Sequence, residues 1–597
     1  MVLGNPPWDR IKLQEKEWFS AHGRQDIADA ANASQRQRMI AALLQRGDPN
    51  GLAPLAYDPA LHAAFGESRR RAEGESHLVR DSGRYPLTAV GDVNTYALFA
   101  ETFRTITSVH GRAGLICPTG IATDDSTKRF FGDLSDRQAL ASLYDFENRK
   151  GLFPTVDSRY KFSLLTITGS PVAAADLAFF CTDVTDLEQP ERRFSLSAED
   201  IALLNPNTRT CPIFRTRADA DLTRAIYGRV PVLVDEVTGA NPWGVKFQAM
   251  FHMSNDSGLF HDAPAAGDGD LRLRSHGSDE PTAVGESGVQ VSALPQLPAY
   301  APDLVPLYEA KLLHQFDHRW ATYDGKDARD LTDAEKADPS CTVTPRYWVP
   351  RAEVEARLRE TWNHDWLVGF RRISNVTNER TALFSLLPLT GAGDSVFFIL
   401  PRLQPFAPLR LAAFVANLNS FPFDYVVRQK MGGLNMNFYL VKQFPVLPPS
   451  AYSPIDLAYI VPRVLELVYT AWDLQPFARD LGYEGDPFPF DRQVPDPHAA
   501  APGRTVSRRA LLRAELDAYY ARLYGLSRKQ LRYILDPHSL TDRELSDILD
   551  PTEDPPDAPR TKDFPGETFR VLKDREVREY GEYRTGRLVL AAWDALG

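Results

Sequence analysis

The first nineteen residues read "MVLGNPPWDRIKLQEKEWF" (1–19). Val2-Leu3-Gly4 looks like the tail of a strand, and Asn5-Pro6-Pro7-Trp8 follows as a rigid turn with an aromatic tip. Proline fixes φ and has no N–H to donate. Two in a row hold the Asn5 side-chain oxygen and the Pro6 carbonyl as acceptors facing the same way. An exocyclic amine on a base ring offers two matching N–H donors. Such an amine is a weak nucleophile, because its lone pair is delocalised into the ring. Acceptors on both hydrogens favour a pyramidal nitrogen whose lone pair can meet an electrophile. Trp8 supplies a plate on which a base can stack. The competing reading is a proline-stiffened strand–helix turn with no chemistry. "ANPWG" (240–244) is an internal control. It lacks the second proline and an α/β setting, and reads as a loop.

Outward from the turn, strands and helices alternate. "DIADAANASQRQRMIAALL" carries apolar residues at helical spacing and places a helix within 21–47. "GDVNTYALFAETFRTIT" (91–107) opens with an Asp/Asn cap and continues as an amphipathic helix. Short strands are expected within 111–120, 139–148 and 159–169, the last rich in β-branched and aromatic residues. This alternation predicts an α/β sheet over residues 1–170. Past 170 the texture is irregular and proline-rich. Residues 263–300, rich in Gly, Ser, Ala and Pro, read as a flexible surface insertion. Mixed short strands and helices follow to 449, with a mainly helical region over 450–597. Within it, 477–503 reads as a Pro-rich connection and 505–526 as a strong helix.

Bulk properties narrow the class. The 597 residues are 43 % hydrophobic and 25 % charged, as in soluble globular proteins. No apolar run of about 18 residues predicts a membrane span, and there is no basic-then-apolar leader. Cys117, Cys181, Cys211 and Cys341 lack CxxC spacing, which suits a reducing cytoplasm better than a disulfide framework or a zinc site. The net charge of −11 argues against a protein that coats nucleic acid but leaves room for a local basic cleft. Residues 504–535 hold eight Arg/Lys against two Asp/Glu. On helices, Arg508, Arg509 and Arg513 could track a phosphate backbone; a solvated basic face is the alternative. Arg371, Arg372 and Arg380, with Asn375 and Asn378, are residue types suited to guanine and adenine edges; loop hydrogen bonding is the alternative. His314 and His318 have H-x3-H spacing but no catalytic Glu between them, so a surface or hydrogen-bonding role is expected. "LTGAGDSVFF" (389–398) runs from its glycines straight into a strand-like segment, unlike a cofactor loop, which leads into a helix.

NPPW resembles motif IV of the amino-group DNA methyltransferases, specifically the γ-type adenine-N6 enzymes of type IIG restriction–modification or related phage-defence systems. The resemblance extends along nearly the whole chain. "GDVNTYALFAETF" and "GRAGLICPTG" look like the helix and strand that follow the motif. In "YDFENRKGLFPTVDSRYKFSLLTITG", Phe153 stands where the family has an aromatic facing the turn. Blocks such as "LLNPNTRTCPIF" (203–214), "FRRISNVTNERTALFSLLP" (370–388) and "DAYYARLYGLSRKQLRYIL" (517–535) follow in the order of the family's target-recognition region. The resemblance implies double-stranded DNA as partner and an adenine flipped out of the duplex. Asn5 and the Pro6 carbonyl would bind N6, with Pro7 stiffening the turn and Trp8 and Phe153 stacking on the ring. It further implies S-adenosyl-L-methionine (AdoMet) as cofactor, in a cradle that the γ arrangement puts ahead of NPPW. Residues 1–170 are then expected to be the C-terminal half of a Rossmann-like sheet, with recognition at 171–449. A nuclease or separate N-terminal chain is a possible partner on this reading. A DNA-specificity subunit or gene remnant without catalysis remains an alternative, as does a methyltransferase acting on RNA or protein.

Overall fold

The computed structural model describes residues 1–45, 57–262, 303–499, 503–566 and 568–597. The insertion expected at 263–300 lies outside the described residues. The chain forms two compact units, Met1–Ala220 and Asp221–Gly597.

The first unit is built on a six-stranded mixed sheet. Its strands are β1 (Val2–Gly4), β2 (Arg112–Cys117), β3 (Leu140–Glu147), β4 (Lys161–Thr168), β5 (Ala175–Cys181) and β6 (Phe194–Leu196), in spatial order β1-β2-β4-β3-β5-β6. β1 runs parallel to β2, pairing Val2 with Ala113 and Gly4 with Leu115. β4 is antiparallel to both β2 and β3, and β3 is parallel to β5. β1, β2, β3 and β5 therefore all point the same way. Open α/β sheets bind their ligands at the carboxyl ends of such strands, and here the NPPW turn, residues 118–124 and residues 148–153 emerge from that end. The sheet continues past residue 170 through β5 and β6 to Leu196.

The helix expected within 21–47 is interrupted. Gln25–Ala28 and Ala33–Ala42 are separate helices, because Asn32 leaves the helical path to cap the second, accepting the Gln35 N–H at 2.8 Å. With the helix Pro59–Asp81 they enclose a small core of Phe19, Ile27, Ile40, Leu43 and Phe65. The helix Thr95–Ile106 starts at the Asn94 cap and buries Tyr96, Ala97, Leu98 and Ala100.

The second unit holds two four-stranded sheets. The antiparallel one orders Phe384–Pro388, Trp366–Arg371, Val396–Leu400 and Lys246–Gln248, nearly all buried in its three larger strands. Behind it the helix Phe421–Lys430 is buried along its whole length. From 450 onward the unit is mainly helical, with a two-stranded ribbon pairing Gln493–Pro495 and Thr505–Ser507. Among the described residues no helix is long and apolar enough to cross a membrane.

Candidate functional site

The NPPW turn leaves the end of β1 and is tied down by the cap of the next helix. The Thr95 hydroxyl donates to the Pro7 carbonyl at 2.6 Å and accepts the Asp9 N–H at 3.0 Å. Asn94 does two jobs: its Oδ1 accepts the Tyr96 N–H, and its Nδ2 donates to the Trp8 carbonyl at 3.3 Å. Backbone bonds from Thr95 to Asp9 and from Ile11 to Val93 complete the seam. The turn is thus fixed through its later carbonyls. Asn5 is exposed, and among the described residues neither its side chain nor the Pro6 carbonyl receives or makes a hydrogen bond. A Cβ at Gly4, just before the turn, would lie 2.9 Å from the Phe103 ring, which would have to shift.

Trp8 and Phe153 converge on one aromatic cluster. Trp8, half-buried, packs against a core of Phe146, Phe162, Ala178 and Cys181. Phe153, 40 % exposed, sets its ring edge-on to Phe162 at 5.0 Å between centroids. The loop carrying Phe153 is shaped by the buried Asn148, whose amide donates to the carbonyls of Phe153 and Val156 while its oxygen accepts the Phe153 N–H. The indole N–H of Trp8 is buried without an acceptor.

Next to this cluster, sequence reading missed a polar group. Asp145, near the end of β3, is buried and accepts from the Thr119 hydroxyl and from the Phe180 N–H at 3.1 Å. Burial raises its carboxyl pKa, with those two donors working against the rise. Phe180 takes a left-handed φ of 58°, an uncommon conformation for a bulky residue. Its ring carries the Arg215 guanidinium at 4.0 Å and the Lys161 ammonium at 5.0 Å. Arg149 and Lys150 are exposed on the neighbouring turn. No spacing rule links Lys161 to Arg215; the sheet does. Arg149 and Lys161 both pair with Glu147, so this end of the sheet offers free acceptors, a stacking surface and a partly neutralised positive charge.

The groups expected at DNA in the second unit are placed unevenly. Asn375 is partly exposed, and its side chain accepts the Thr377 N–H; Asn378 is exposed. Arg371 donates to the Leu313 carbonyl at 2.8 Å, and burial pushes its guanidinium pKa down to about 10. Arg372 donates to the Asp394 carbonyl and lies over Phe397. Two of the expected residues are inside the protein. Arg380 is buried against Asp424 at 3.2 Å and Asp517 at 3.6 Å, over the Phe421 ring. Arg509 is buried on backbone carbonyls of Leu467, Phe490 and Phe316. Arg508 is half-buried in a bidentate pair with Glu466. Arg513 is half-buried and lines a cleft.

The remaining sequence signals resolve into structure. His318 is buried with its Nε2 2.8 Å from Asp473, and His314 stacks on Trp320. Among the described residues no His/Cys/Asp/Glu group could hold a metal ion. Gly391–Ala392 is a short strand followed by the strand Val396–Leu400, and Met253 sulfur fills the space a Cβ at Gly393 would need. Trp243 of "ANPWG" is buried, donating to the Leu447 carbonyl.

A cradle for AdoMet needs an open glycine turn between a strand and a helix. In the first unit Gly120, after β2, stands at such a turn. Its space is taken: a Cβ on Gly120 would meet the Asp124 carboxylate at 2.4 Å. Asp124 also sits where burial raises its pKa, unlike a carboxylate held ready for ribose hydroxyls. That turn is closed on its own carboxylate and does not fit the donor.

No family model matches the sequence, and no curated protein matches it. Solved structures similar to the chain include the type IIG restriction endonuclease BpuSI, with 11 % identity and a TM-score of 0.23 over 66 % of this chain and 46 % of that one. Another is the type IIL restriction-modification enzyme MmeI in complex with DNA, with 10 % identity and a TM-score of 0.29 over 76 % of this chain and 52 % of that one. The chain spans about half the length of each. Similarities this shallow carry no argument about the chemistry of the site.

Proposed function

We propose that the first unit binds the target base of a DNA adenine-N6 methyltransferase that uses AdoMet, within a restriction–modification or related defence system, and that the second unit contacts DNA. The observation that carries this reading is the convergence of Trp8 and Phe153 on the Phe146–Phe162 cluster, beside a turn whose Asn5 amide and Pro6 carbonyl are left without partners. A flipped adenine would stack there, with its N6 hydrogens on those two oxygens. Lys150 and Arg215, with Arg149 and Lys161 sharing Glu147, supply charge for the phosphates that flank an extruded nucleotide. When bound, AdoMet supplies an electrophilic methyl group. The Gly120 turn does not fit that cofactor, so what this reading gives to the chain is holding the amine.

The test is a tritiated-methyl assay on DNA, with the chain expressed in its native genomic context and the label assigned to N6 by digestion and chromatography. Asn5→Ala should nearly abolish transfer while leaving DNA affinity largely intact. Phe153→Ala should weaken base stacking by roughly 1–3 kcal/mol. Near-normal turnover by the Asn5 variant would sink the assignment.

A further inference from the structure

The second unit contains a cleft of about 490 Å³ between the loop at 314–320, the strand Thr505–Ser507 and the helices Arg508–Leu523, Arg570–Tyr580 and Arg584–Ala595. Seven of its wall residues are Lys or Arg and three are Asp. Several of these cations are already balanced. Lys336 pairs with Asp317 at 2.7 Å, Arg575 with Glu379 at 2.8 Å, and Arg587 with Asp496 at 2.7 Å. Arg504 shares Glu582 with Arg587.

Three guanidiniums are balanced poorly. Arg509 is held by carbonyl oxygens, which satisfy its N–H groups; Asp491 and Asp317 offset its charge in part, Asp317 being shared with Lys336. Arg584 has its nearest carboxylate, Glu576, at 3.9 Å, and its Nε is buried without an acceptor. The Arg513 side chain makes no hydrogen bond or ion pair with any described residue. Burial, with Arg509 and Arg380 around it and Asp517 working the other way, pushes the Arg513 pKa down to about 10. Of the acidic wall residues, Asp317 is taken by Lys336 and Asp491 accepts the Arg509 N–H. Asp333 is the opposing charge without an ion pair among the described residues.

Crowding cations in a concave, partly dry site is unfavourable unless an anion enters. Guanidinium forks match phosphate oxygens in pairs. The volume is more than one phosphate needs and falls within the range of about 300–1,000 Å³ usual for small-ligand pockets. We propose that this cleft is a phosphate-binding site for a polyanion, either a phosphate of nucleic acid or a free polyphosphate, with Arg513 and Arg584 donating to its oxygens. The inference does not depend on methyl transfer, and Asn5→Ala should leave it untouched.

The test is calorimetric titration of the full chain with inorganic tripolyphosphate, alongside anisotropy of a fluorescent DNA duplex, for the wild type, Arg513→Gln, Arg584→Gln and the exposed Arg359→Gln. Each cleft variant should weaken binding of at least one probe by about tenfold or more, a change of about 1.4 kcal/mol, while Arg359→Gln changes it less than about twofold. Loss of tripolyphosphate binding with unchanged DNA binding identifies a free polyphosphate as the ligand. Loss of DNA binding, with tripolyphosphate displacing duplex from the wild type, identifies nucleic acid. If a cleft variant unfolds, the wild type decides: tripolyphosphate must raise its melting temperature above the value in sodium chloride of equal ionic strength. Failure of both probes to bind, or equal binding by all four proteins, overturns the proposal.

Discussion

The seam between Thr95 and the NPPW turn can be cut without touching the turn. Thr95→Val keeps the β-branched shape and removes one oxygen. That oxygen donates to the Pro7 carbonyl at 2.6 Å and accepts the Asp9 N–H at 3.0 Å. A net intramolecular hydrogen bond is worth about 0.5–1.5 kcal/mol. Thr95 is half-buried, so water recovers part of the loss, and the pair together should be worth about 1–2 kcal/mol. The backbone bond from Thr95 to Asp9 survives the substitution, so the turn loosens without detaching. Hydrogen exchange of the segment around residues 2–11 reads this directly. Opening made easier by that amount should speed exchange of the Asp9 amide by roughly 5- to 30-fold, since 1.4 kcal/mol is a factor of ten. Asn94→Asp is the graded comparison. It keeps the oxygen that caps Tyr96 and loses the donor to the Trp8 carbonyl, a weaker bond at 3.3 Å, so its effect should be smaller. If the turn also aligns an amine, Thr95→Val should depress methyl transfer by up to about 10²-fold, the usual penalty for a misplacement of about 1 Å. Unchanged exchange at Asp9 would refute the seam itself, whatever the enzyme assay shows.

Other outcomes follow from the interior. Asp424 is fully buried, pairs with Arg380 and Arg428, and accepts the N–H groups of Thr381 and Ala382. Asp424→Ala should therefore cost about 3–5 kcal/mol in denaturant unfolding of the second unit, with Asp424→Asn costing less; a loss under about 1 kcal/mol would mean the cluster is not formed. Asp517 is buried beside Arg380, and burial pushes its pKa up to about 6. A raised carboxyl means that the folded state keeps its proton longer than the unfolded chain. Its contribution to stability is therefore full below about pH 4 and falls as the pH rises to about 6. The melting temperature of Asp517→Asn minus that of the wild type should be more positive at pH 7 than at pH 4, and a flat difference would remove the shift. Gly4→Ala places a Cβ 2.9 Å from the Phe103 ring and should destabilise the first unit by about 1–3 kcal/mol; Phe103→Leu in the same chain should recover part of it, read by thermal melting.

What the sequence conveyed was local, and what it hid was long-range. The strands at 112–117, 140–147 and 161–168 and the Asn94-capped helix lie inside the segments expected from periodicity and capping. Their spatial order could not be read in the same way. β4 inserts between β2 and β3, although it follows both in the chain, and nothing in an alternating pattern states which neighbour a strand will choose. Asn94-Thr95 did carry a signal, since an Asn–Thr pair opening a helix has side-chain groups to spare for a neighbouring backbone. Reading it as a cap alone left out its second half, the grip on Pro7 and Trp8. The arginines show the opposite limit. Arg380, Arg509 and Arg513 look alike in sequence, each in a basic stretch suggesting solvent or DNA. Arg380 is decided by Asp424 and Asp517, and Arg509 by the carbonyls of Phe316 and Leu467, partners far off in the chain. A count of positive charge cannot separate a guanidinium already held within the fold from one still free to take an anion. The useful quantity is how much of each cation's charge and hydrogen bonding the fold has already met. By that measure, in the stretch 504–535, Arg508 is met in both charge and hydrogen bonds, Arg509 in hydrogen bonds, and Arg513 least of the three.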